Sequence, residues 1–287
     1  MRRLLALAIP LSALALTTTG TGGGAITLSC SKGVLTTASA GKLTIGTDNP
    51  AYPPWYAGGT PKGSKWKIND PATGNGYESA VAYAVAKQLG FSRAEVTWKY
   101  VPFAKSFAPG KKSFDFDINQ ISFTPQRAKV VDFSSSYYDV NQGIVVNKGT
   151  KIALVRSLAG LRSFHFGVQI GTTSYNAIIK QIRPSSKPAV YDTNDKAVFA
   201  LKTKQIDALV VDLPTAFYVT AVQIPNSKIL GQLPTRPGGE HFGMVLQKGS
   251  PLTPCVNRAL AALKANGTLK KIQATWLSKV VGVPVLK

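Results

Sequence analysis

Two charged residues, Arg127 and Asp212, have the types and positions to bind one small ligand between them. Arg127 closes the segment 121–127 and Asp212 ends the apolar run 206–212, and α/β proteins place ligand sites at such strand ends. A guanidinium is a planar cation that matches a carboxylate, and a carboxylate matches an ammonium group. The two residues are 212 − 127 = 85 positions apart, too far for a local ion pair to explain both. Together they predict a receptor for a free α-amino acid.

Both residues also have a purely structural interpretation. Arg127 could be a surface arginine that begins a helix, and Asp212 precedes Leu213-Pro214, so it could be a helix N-cap. Thr172 and Thr173 lie in a small-residue turn between a predicted strand and a predicted helix. The N–H groups at such a helix start suit a carboxylate, and capping by a threonine is compatible with that role.

Strand-like and helical stretches alternate along the chain and must position these residues. In the segment 113–123, apolar and polar residues alternate, which places Gln120 and Ser122 at the carboxyl end of a strand. Alternating strands and helices imply α/β layers. Two such series, joined by crossings near 143–147 and 242–246, predict two lobes with a cleft between them. The predicted strands are 43–47, 96–100, 113–123, 164–168 and 206–211, and the predicted helices are 78–89, 175–182, 195–202, 213–221, 253–265 and 269–277.

Size and charge limit the class of protein. The chain has 287 residues, is 44% hydrophobic and carries a net charge of +21, so it can bury a core and is not disordered. The positive charge raises the question of nucleic-acid binding. The lysines are scattered, without a basic run or zinc-finger spacing, so no nucleic-acid partner is predicted. An adhesin for anionic cell-envelope material and a solvated basic surface with no partner remain as alternatives.

The amino terminus has the pattern of a secretory signal. Arg2 and Arg3 precede an apolar stretch, 4–16, that is too short to span a membrane. Cleavage near Ala25 is expected, with Ala15 as the alternative, so residues 1–25 are assigned to a signal peptide and linker. The mature protein is expected in the periplasm or at the exterior of the cell envelope.

The two cysteines, Cys30 and Cys255, suggest a disulfide because the protein is predicted to be exported. Two unrelated thiols are the alternative. A lipid anchor at Cys30 would also tie the protein to the membrane, but Thr27 stands where a lipoprotein signal has an aliphatic residue.

Metal and catalytic chemistry find little support in the sequence. The two histidines, His165 and His241, form no cluster with cysteines at ligand spacing, and the nucleophile elbow Gly-x-Ser-x-Gly is absent. We therefore predict no metal, no cofactor and no catalytic residue.

Motifs from about Lys42 to Leu277 resemble, in order and spacing, the bacterial extracellular solute-binding proteins of family 3, the polar amino-acid receptors of ABC importers. The motifs are Ile45-Gly-Thr-Asp48, Tyr52-Pro-Pro-Trp55, Gly76-Tyr-Glu78, Ser122-Phe-Thr-Pro-Gln-Arg127, Val131-Asp-Phe-Ser134, Val168-Gln-Ile-Gly-Thr-Thr173, Ile206-Asp-Ala-Leu-Val-Val-Asp212 and Leu263-Lys-Ala-Asn-Gly-Thr-Leu269.

The resemblance implies an α/β, two-lobed periplasmic-binding-protein-like fold of type II, with two crossing strands as hinge and the ligand in the interlobe cleft. Lobe 1 would comprise 26–140 plus 243–287, and lobe 2 would comprise 141–242. The implied protein is a monomer and not an enzyme. It captures a free amino acid by lobe closure and delivers it to a membrane ABC permease.

The resemblance also implies roles for single residues. Arg127 would hold the ligand α-carboxylate together with Thr172 and Thr173 from the other lobe. Asp212 would pair with the α-ammonium, with help from Ser122. Five residues match positions around the ligand side chain: Asp48, Tyr52, Phe103, Gln120 and Gln169.

Departures from the family pattern affect the side-chain pocket. Gln120 stands where many members have Gly or Ser, and Asp117 and Asn119 replace apolar residues. The acids Asp48, Glu78 and Asp117 indicate a polar or cationic ligand side chain, without naming it. Some relatives use this cleft for cyclohexadienyl dehydration, and Glu78 would be the acid in that alternative.

Overall fold

A computed structural model describes residues 29–235, 238–280 and 282–287. The signal peptide predicted for residues 1–25 lies outside the described residues. The strands are β1 Leu43–Thr47, β2 Val96–Tyr100, β3 Phe116–Asp117, β4 Val131–Phe133, β5 Tyr138–Asp139, β6 Gln142–Asn147, β7 Phe166–Gln169, β8 Ala189–Tyr191, β9 Ala208–Asp212, β10 Ser227–Gln232, β11 His241–Phe242 and β12 Val245–Gln247.

The α-helices are α1 Tyr77–Gln88, α2 Phe103–Ser106, α3 Pro125–Ala128, α4 Thr173–Ala177, α5 Asn194–Lys202, α6 Leu213–Tyr218, α7 Thr253–Ala265 and α8 Thr268–Leu277. Two π-helical turns, Ile178–Ile182 and Val219–Gln223, continue α4 and α6. Within the described ranges, no helix is long and apolar enough to span a bilayer.

The first lobe is built on a five-stranded sheet of order β2-β1-β3-β12-β4, in which β1 is parallel to both β2 and β3. The predicted strand 113–123 is shorter than expected, because only Phe116–Asp117 pairs in the sheet. Both faces of this short strand are buried: Phe116 and Asp117 are each 0% exposed. The alternation therefore does not mark a solvent-facing side, and a central parallel strand is covered on both faces.

The second lobe is built on a sheet of order β10-β6-β9-β7-β8, covered on both faces. Side chains in a strand point alternately to opposite faces. Ile144 and Val146 on β6 join the core on one face with Val210, while Val145 joins the core on the other face with Val211. Each face carries its own apolar cluster, so this sheet is a rigid support for residues at its strand ends.

The chain crosses between the lobes twice around a two-stranded antiparallel sheet of β5 and β11. After β5 the chain enters the second sheet at β6, and after β11 it returns to the first sheet at β12. In the β6–β9 pairing, Gln142 lies opposite Asp212. The first residue after the crossing is therefore held beside the predicted anionic site.

The C-terminal residues differ from the assignment of 243–287 to lobe 1. Gln232 N donates to Pro284 O at 2.8 Å and Leu286 N donates to Gln232 O at 3.0 Å. The side chain of Leu286 is 3% exposed and packs in a core of the second lobe. The tail thus lies on lobe 2, because its apolar side chain is buried against β10 rather than against the first sheet.

The predicted disulfide is present between Cys30 and Cys255. It joins the segment before β1 to α7, on the first lobe. Because the Cys30 sulfur is bonded to Cys255, this thiol is not free for a lipid thioether.

Candidate ligand-binding site

A cleft with a volume of about 260 Å³ lies between the lobes at the ends of their strands. Both lobes contribute to its walls, as the sequence predicts for a ligand held between them. All ten residues predicted to contact the ligand line this cleft: Asp48, Tyr52, Phe103, Gln120, Ser122, Arg127, Gln169, Thr172, Thr173 and Asp212.

Arg127 is held in the cleft by a short helix with a well-defined start. The Thr124 hydroxyl caps α3 by accepting from Arg127 N at 3.1 Å, and Pro125 occupies the first turn. Arg127 is only 9% exposed, so the surface-arginine interpretation is wrong. Its guanidinium carbon lies 4.1 Å from the ring centre of Phe107 and 5.8 Å from that of Phe103. Both aromatic rings are close enough to attract the cation.

The guanidinium reaches both lobes. Arg127 Nη1 donates to Ser122 O at 2.5 Å, and Nη2 donates to Gly171 O of the second lobe at 2.7 Å. Burial lowers the pKa of Arg127 to about 10, and the charges of Glu240 and Asp212 oppose that shift. The group therefore stays cationic at neutral pH, in a position where an anionic ligand would find it already desolvated.

Asp212 sits at the N-cap position of α6, yet its side chain makes no capping hydrogen bond. The carboxylate instead accepts from Gln142 Nε2 at 2.7 Å. Loss of solvent raises the pKa of Asp212 well above its usual range, and the nearby charge of Glu240 adds to the effect. A capping role therefore does not explain this aspartate, and a cation beside it would stabilise the charged form.

The two threonines at the start of α4 behave differently. Thr172 donates its hydroxyl hydrogen to Gln169 O at 2.8 Å, so this hydroxyl is used within its own turn. Thr173 donates its hydroxyl to the carboxylate of Glu240, and Ser122 of the first lobe donates to the same oxygen. The Ser122 and Thr173 hydroxyl oxygens are 3.4 Å apart. These two donors, from opposite lobes, form one anion-binding position.

Glu240 is the residue of this site that sequence reasoning missed. It precedes β11 on the segment that returns to the first lobe, and its second oxygen accepts from Gln142 Nε2 at 3.1 Å. Gln142 thus donates to both carboxylates, those of Asp212 and Glu240. One signal in the sequence could have found it. Acidic residues are few, 13 against 34 basic ones, and Glu240 stands next to a crossing strand.

The charged lining of the cleft is mostly acidic. Four aspartates line the cleft, whereas Arg127 is the sole basic residue among the lining residues that the structure describes. Asp192 is paired with Lys196 Nζ at 2.6 Å outside the cleft. The other three aspartates have no salt bridge within the described ranges. The four aspartates are Asp48, Asp192, Asp195 and Asp212.

Further contacts join the lobes around the cleft. Trp55 Nε1 donates to Thr215 Oγ1 at 3.1 Å, and the Tyr52 hydroxyl donates to the carboxylate of Asp195. The Tyr52 ring centre is 5.9 Å from that of Tyr218. With the Arg127–Gly171 bond, these contacts define a closed arrangement of the lobes.

Gln120 is fixed by the buried carboxylate of Glu78. Gln120 N donates to Glu78 Oε1 at 2.7 Å, and its side-chain amide donates to Oε2. Gln120 has a φ of 49°, an uncommon conformation for a residue other than glycine. Glu78 is 0% exposed and also accepts from the Tyr137 hydroxyl. Glu78 therefore shapes the cleft wall from behind and does not reach the ligand space.

Two polar lining groups lack a hydrogen-bond partner among the described residues. They are Thr47 Oγ1 and Asn119 Nδ2, both buried and both lining the cleft. Sequence reasoning marked Asn119 as a departure from the family pattern but did not place it in the site. A polar ligand side chain or water would satisfy these groups. Among the described residues, no cluster of three or more His, Cys, Asp or Glu side chains could hold a metal.

Comparison with known proteins agrees with this arrangement. Residues 43–279 match the sequence model of the bacterial extracellular solute-binding proteins, family 3. The ABC transporter glutamine-binding protein GlnH of Bacillus subtilis is 29% identical, with 74% of this chain and 77% of the relative covered. The ABC transporter arginine-binding protein 1 of Escherichia coli is 29% identical, with 70% and 81% covered.

Solved structures of amino-acid-binding proteins are also similar to this chain. An ancestral arginine-binding protein bound to glutamine is similar at a TM-score of 0.67 and 30% identity, covering 83% of this chain and 99% of that chain. An ancestral amino-acid-binding protein described as a precursor of cyclohexadienyl dehydratase is similar at a TM-score of 0.65 and 28% identity, covering 82% and 95%. With its two-lobed fold and its interlobe cleft, this chain belongs to the bacterial extracellular solute-binding proteins of family 3.

Proposed function

We propose that this protein is an exported receptor that captures a free α-amino acid with a cationic side chain and delivers it to an ABC permease. One observation carries the proposal: a buried guanidinium and a partly buried carboxylate lie in one closed cleft whose remaining unpaired charges are acidic. Relatives named for binding arginine and glutamine support the choice of an amino acid as ligand.

The backbone of the ligand would bridge the lobes. Its α-carboxylate would face Arg127 and the hydroxyl of Thr173, and its α-ammonium would face Asp212. Moving a two-state equilibrium from 1:99 to 99:1 requires about 5.5 kcal/mol of differential affinity. Hydrogen bonds to charged groups contribute about 1.5–3 kcal/mol each, so two or three of them are enough to close the lobes.

The side chain of the ligand would extend towards Asp48 and Asp195. Asp195 lies on the second lobe and contacts Tyr52 of the first, so a cation there would touch both walls. Arginine or lysine fits this charge pattern better than a neutral amino acid. We further propose that closure moves 26–140 with 243–280 as one lobe against 141–242 as the other, about the crossing segments.

The proposal is tested by calorimetry of the purified protein with L-arginine, L-lysine, L-glutamine and L-glutamate. We expect the cationic pair to bind most tightly. Arg127→Lys keeps the charge but loses the two-pronged fork, and should weaken binding about hundredfold or more. Arg162→Lys, an exposed arginine, is the matched control and should bind as the parent does. Unchanged affinity in the Arg127 variant would refute the carboxylate contact.

The enzymatic alternative needs an acid placed at a leaving group in the cleft. Glu78 is fully buried and occupied by Gln120 and Tyr137, which disfavours it as that acid. We expect no product when the protein is incubated with prephenate or arogenate. Turnover that is lost in Glu78→Gln would establish the enzyme instead.

A further inference from the structure

An indole N–H of the first lobe reaches across the cleft to the second lobe. Trp55 Nε1 donates to Thr215 Oγ1 at 3.1 Å. Trp55 lies between β1 and α1 in the first lobe, whereas Thr215 lies in the first turn of α6 in the second. Opening the lobes moves these two atoms apart, so this hydrogen bond belongs to the closed arrangement alone.

The indole is anchored on the crossing strands. Its ring centre lies 5.5 Å from that of Tyr138 on β5 and 5.6 Å from that of Phe242 on β11, both in edge-on contact. The backbone oxygen of Trp55 also accepts from Glu78 N at 2.9 Å, in the first turn of α1. Trp55 is 1% exposed, and edge-to-face pairs of this kind are attractive. The position of the indole N–H is therefore set by the two strands that connect the lobes.

The acceptor is also held on a packed element. Ala216, next to Thr215 on α6, is 0% exposed and belongs to a core of the second lobe. A Cβ added to Gly143 of β6 would lie 3.1 Å from Ala216 Cβ, so α6 sits close on that strand. An indole has one donor and no acceptor. Because Thr215 already receives the N–H of Trp55, this polar group serves the contact between the lobes.

We propose that Trp55 and Thr215 form a latch: their hydrogen bond stabilises the closed arrangement and raises the affinity for every ligand by the same factor. This inference rests on the proposed function, since it takes lobe closure as the step that captures an amino acid. Trp55 is then a positioning residue that acts on the ligand through the lobes. Selectivity among ligands belongs to other residues, such as Asp48.

The factor is common to all ligands because the latch contributes to closure alone. The apparent dissociation constant of a ligand scales with the fraction of the protein that is competent to bind it. One hydrogen bond of ordinary net strength corresponds to a change in that fraction of about two- to tenfold. A contact to the ligand side chain, in contrast, changes the affinity for one ligand more than for another.

Calorimetry compares Thr215→Val and Trp55→Phe with the parent, using L-arginine, L-lysine and L-glutamine as probes. Thr215→Val removes the acceptor at nearly constant shape, and Trp55→Phe removes the donor and keeps an aromatic ring. We expect Thr215→Val to weaken the binding of every probe by the same factor, about two- to tenfold, and Trp55→Phe by at least as much. The double variant should bind no more weakly than Trp55→Phe, because the same bond is lost only once.

Two matched controls make the same chemical changes away from the cleft. Trp98 Nε1 donates to the Tyr83 hydroxyl at 3.3 Å within the first lobe. The Thr220 hydroxyl donates to Ala216 O at 3.1 Å within the helical segment that continues α6. Neither Trp98 nor Thr220 lines the cleft. Trp98→Phe and Thr220→Val should therefore bind all three probes as the parent does.

Three results of the calorimetry would overturn the latch. The first is unchanged affinity in Thr215→Val. The second is a loss confined to one probe, which would indicate a direct contact with that ligand. The third is a double variant whose loss is the product of the two single losses, which would show that the two side chains act separately.

Nuclear magnetic resonance of the indole N–H groups provides a readout that needs no ligand. The signal of Trp55 is the one that Trp55→Phe removes, and Thr215→Val should shift it while the Trp98 signal stays in place. Should the parent bind none of the probes, the proposed function fails and this spectrum decides the latch. A shifted Trp55 signal in Thr215→Val then supports the latch, and an unmoved one overturns it.

Discussion

At the scale of single residues, the site is a set of charges that the protein leaves incompletely matched. Gln142 donates to both Asp212 and Glu240, and burial raises the pKa of Asp212. Arg127 is the cation that faces these acids, and burial lowers its pKa to about 10. Burial thus disfavours the charged form of both the Arg127 guanidinium and the Asp212 carboxylate. In the binding mode that we propose, a zwitterion would supply the missing partner of both, and its binding would then drive closure.

Asp48 should set the preference for a cationic side chain. It lines the cleft, and burial raises its pKa, so its carboxylate lacks full hydration. We expect Asp48→Asn to weaken L-arginine binding about tenfold, or about 1.4 kcal/mol, and to change L-glutamine binding much less. Competition calorimetry with both ligands measures the ratio of their dissociation constants. Asp139→Asn serves as the exposed control, and equal losses for both ligands would show that Asp48 does not read the side-chain charge.

Glu78 should make stability depend on pH. Burial raises the pKa of Glu78 from 4.5 to about 7, while hydrogen bonds from Tyr137 and Gln120 act in the opposite direction. The folded state then binds this proton more tightly than the unfolded state. The free energy of unfolding should fall as pH rises from 4.5 to about 7, by at most about 3 kcal/mol.

Urea unfolding at about pH 5 and about pH 8 measures this dependence. Glu78→Gln cannot ionise at this position, so its stability should change less between the two conditions than that of the parent. If the free energy of unfolding depends on pH equally in both proteins, titratable groups other than Glu78 cause the dependence.

At the scale of elements, the disulfide fixes the start of the chain to the first lobe. It joins Cys30 to Cys255 across 225 residues. Cross-linking a long segment mainly restricts the unfolded chain, and loss of such a bond typically costs about 2–5 kcal/mol.

We expect the double variant C30S/C255S, or the reduced parent, to unfold at a lower urea concentration by a comparable free energy. Amino-acid affinity should be unchanged, because neither cysteine lines the cleft. Adding reductant to the double variant is the control and should have no further effect. Equal urea midpoints for the oxidised and reduced parent would contradict the prediction.

At the scale of the whole molecule, charge is separated between the outside and the cleft. The chain carries +21 overall, yet four aspartates and one arginine line the ligand space. The positive surface could still attract anionic envelope material, as the adhesin alternative supposes. The two hypotheses differ in their response to salt, because exposed charges are screened while buried pairs are screened much less.

We expect the dissociation constant for L-arginine to change less than about threefold between about 50 mM and about 500 mM salt. Binding through the basic surface would weaken steeply over that range, as polyanion binding does. Calorimetry across the salt series measures the dissociation constant for L-arginine. Sedimentation with an anionic polymer such as heparin measures binding through the basic surface. A steep loss of L-arginine affinity would place the ligand at the surface instead of in the cleft.

Much of this fold could be read from local patterns. The strands at 43–47 and 96–100 match β1 and β2, and the helix at 78–89 differs from α1 by one residue at each end. These elements are predicted by local features: apolar residues recur at the helical or strand period, and residues such as Gly90 end the helix. The pattern over 113–123 predicts a longer strand than the one that forms, because alternation cannot distinguish a half-exposed strand from a short, fully covered one. No local pattern predicts that the C-terminal tail lies on lobe 2, because its burial against β10 depends on contacts distant in sequence.

By itself, the sequence predicted the family, the two-lobed fold, the disulfide and ten of the residues that line the cleft. Their types and order are local properties, and motifs in one order and spacing specify one topology. Only the tertiary structure decided what those residues contact: that Glu78 stays behind the wall and holds Gln120, and that Glu240 accepts from the Ser122 and Thr173 hydroxyls of the two lobes. These contacts join segments about 40 to 120 residues apart. No local pattern encodes them, because they depend on which side chains the closed lobes bring together.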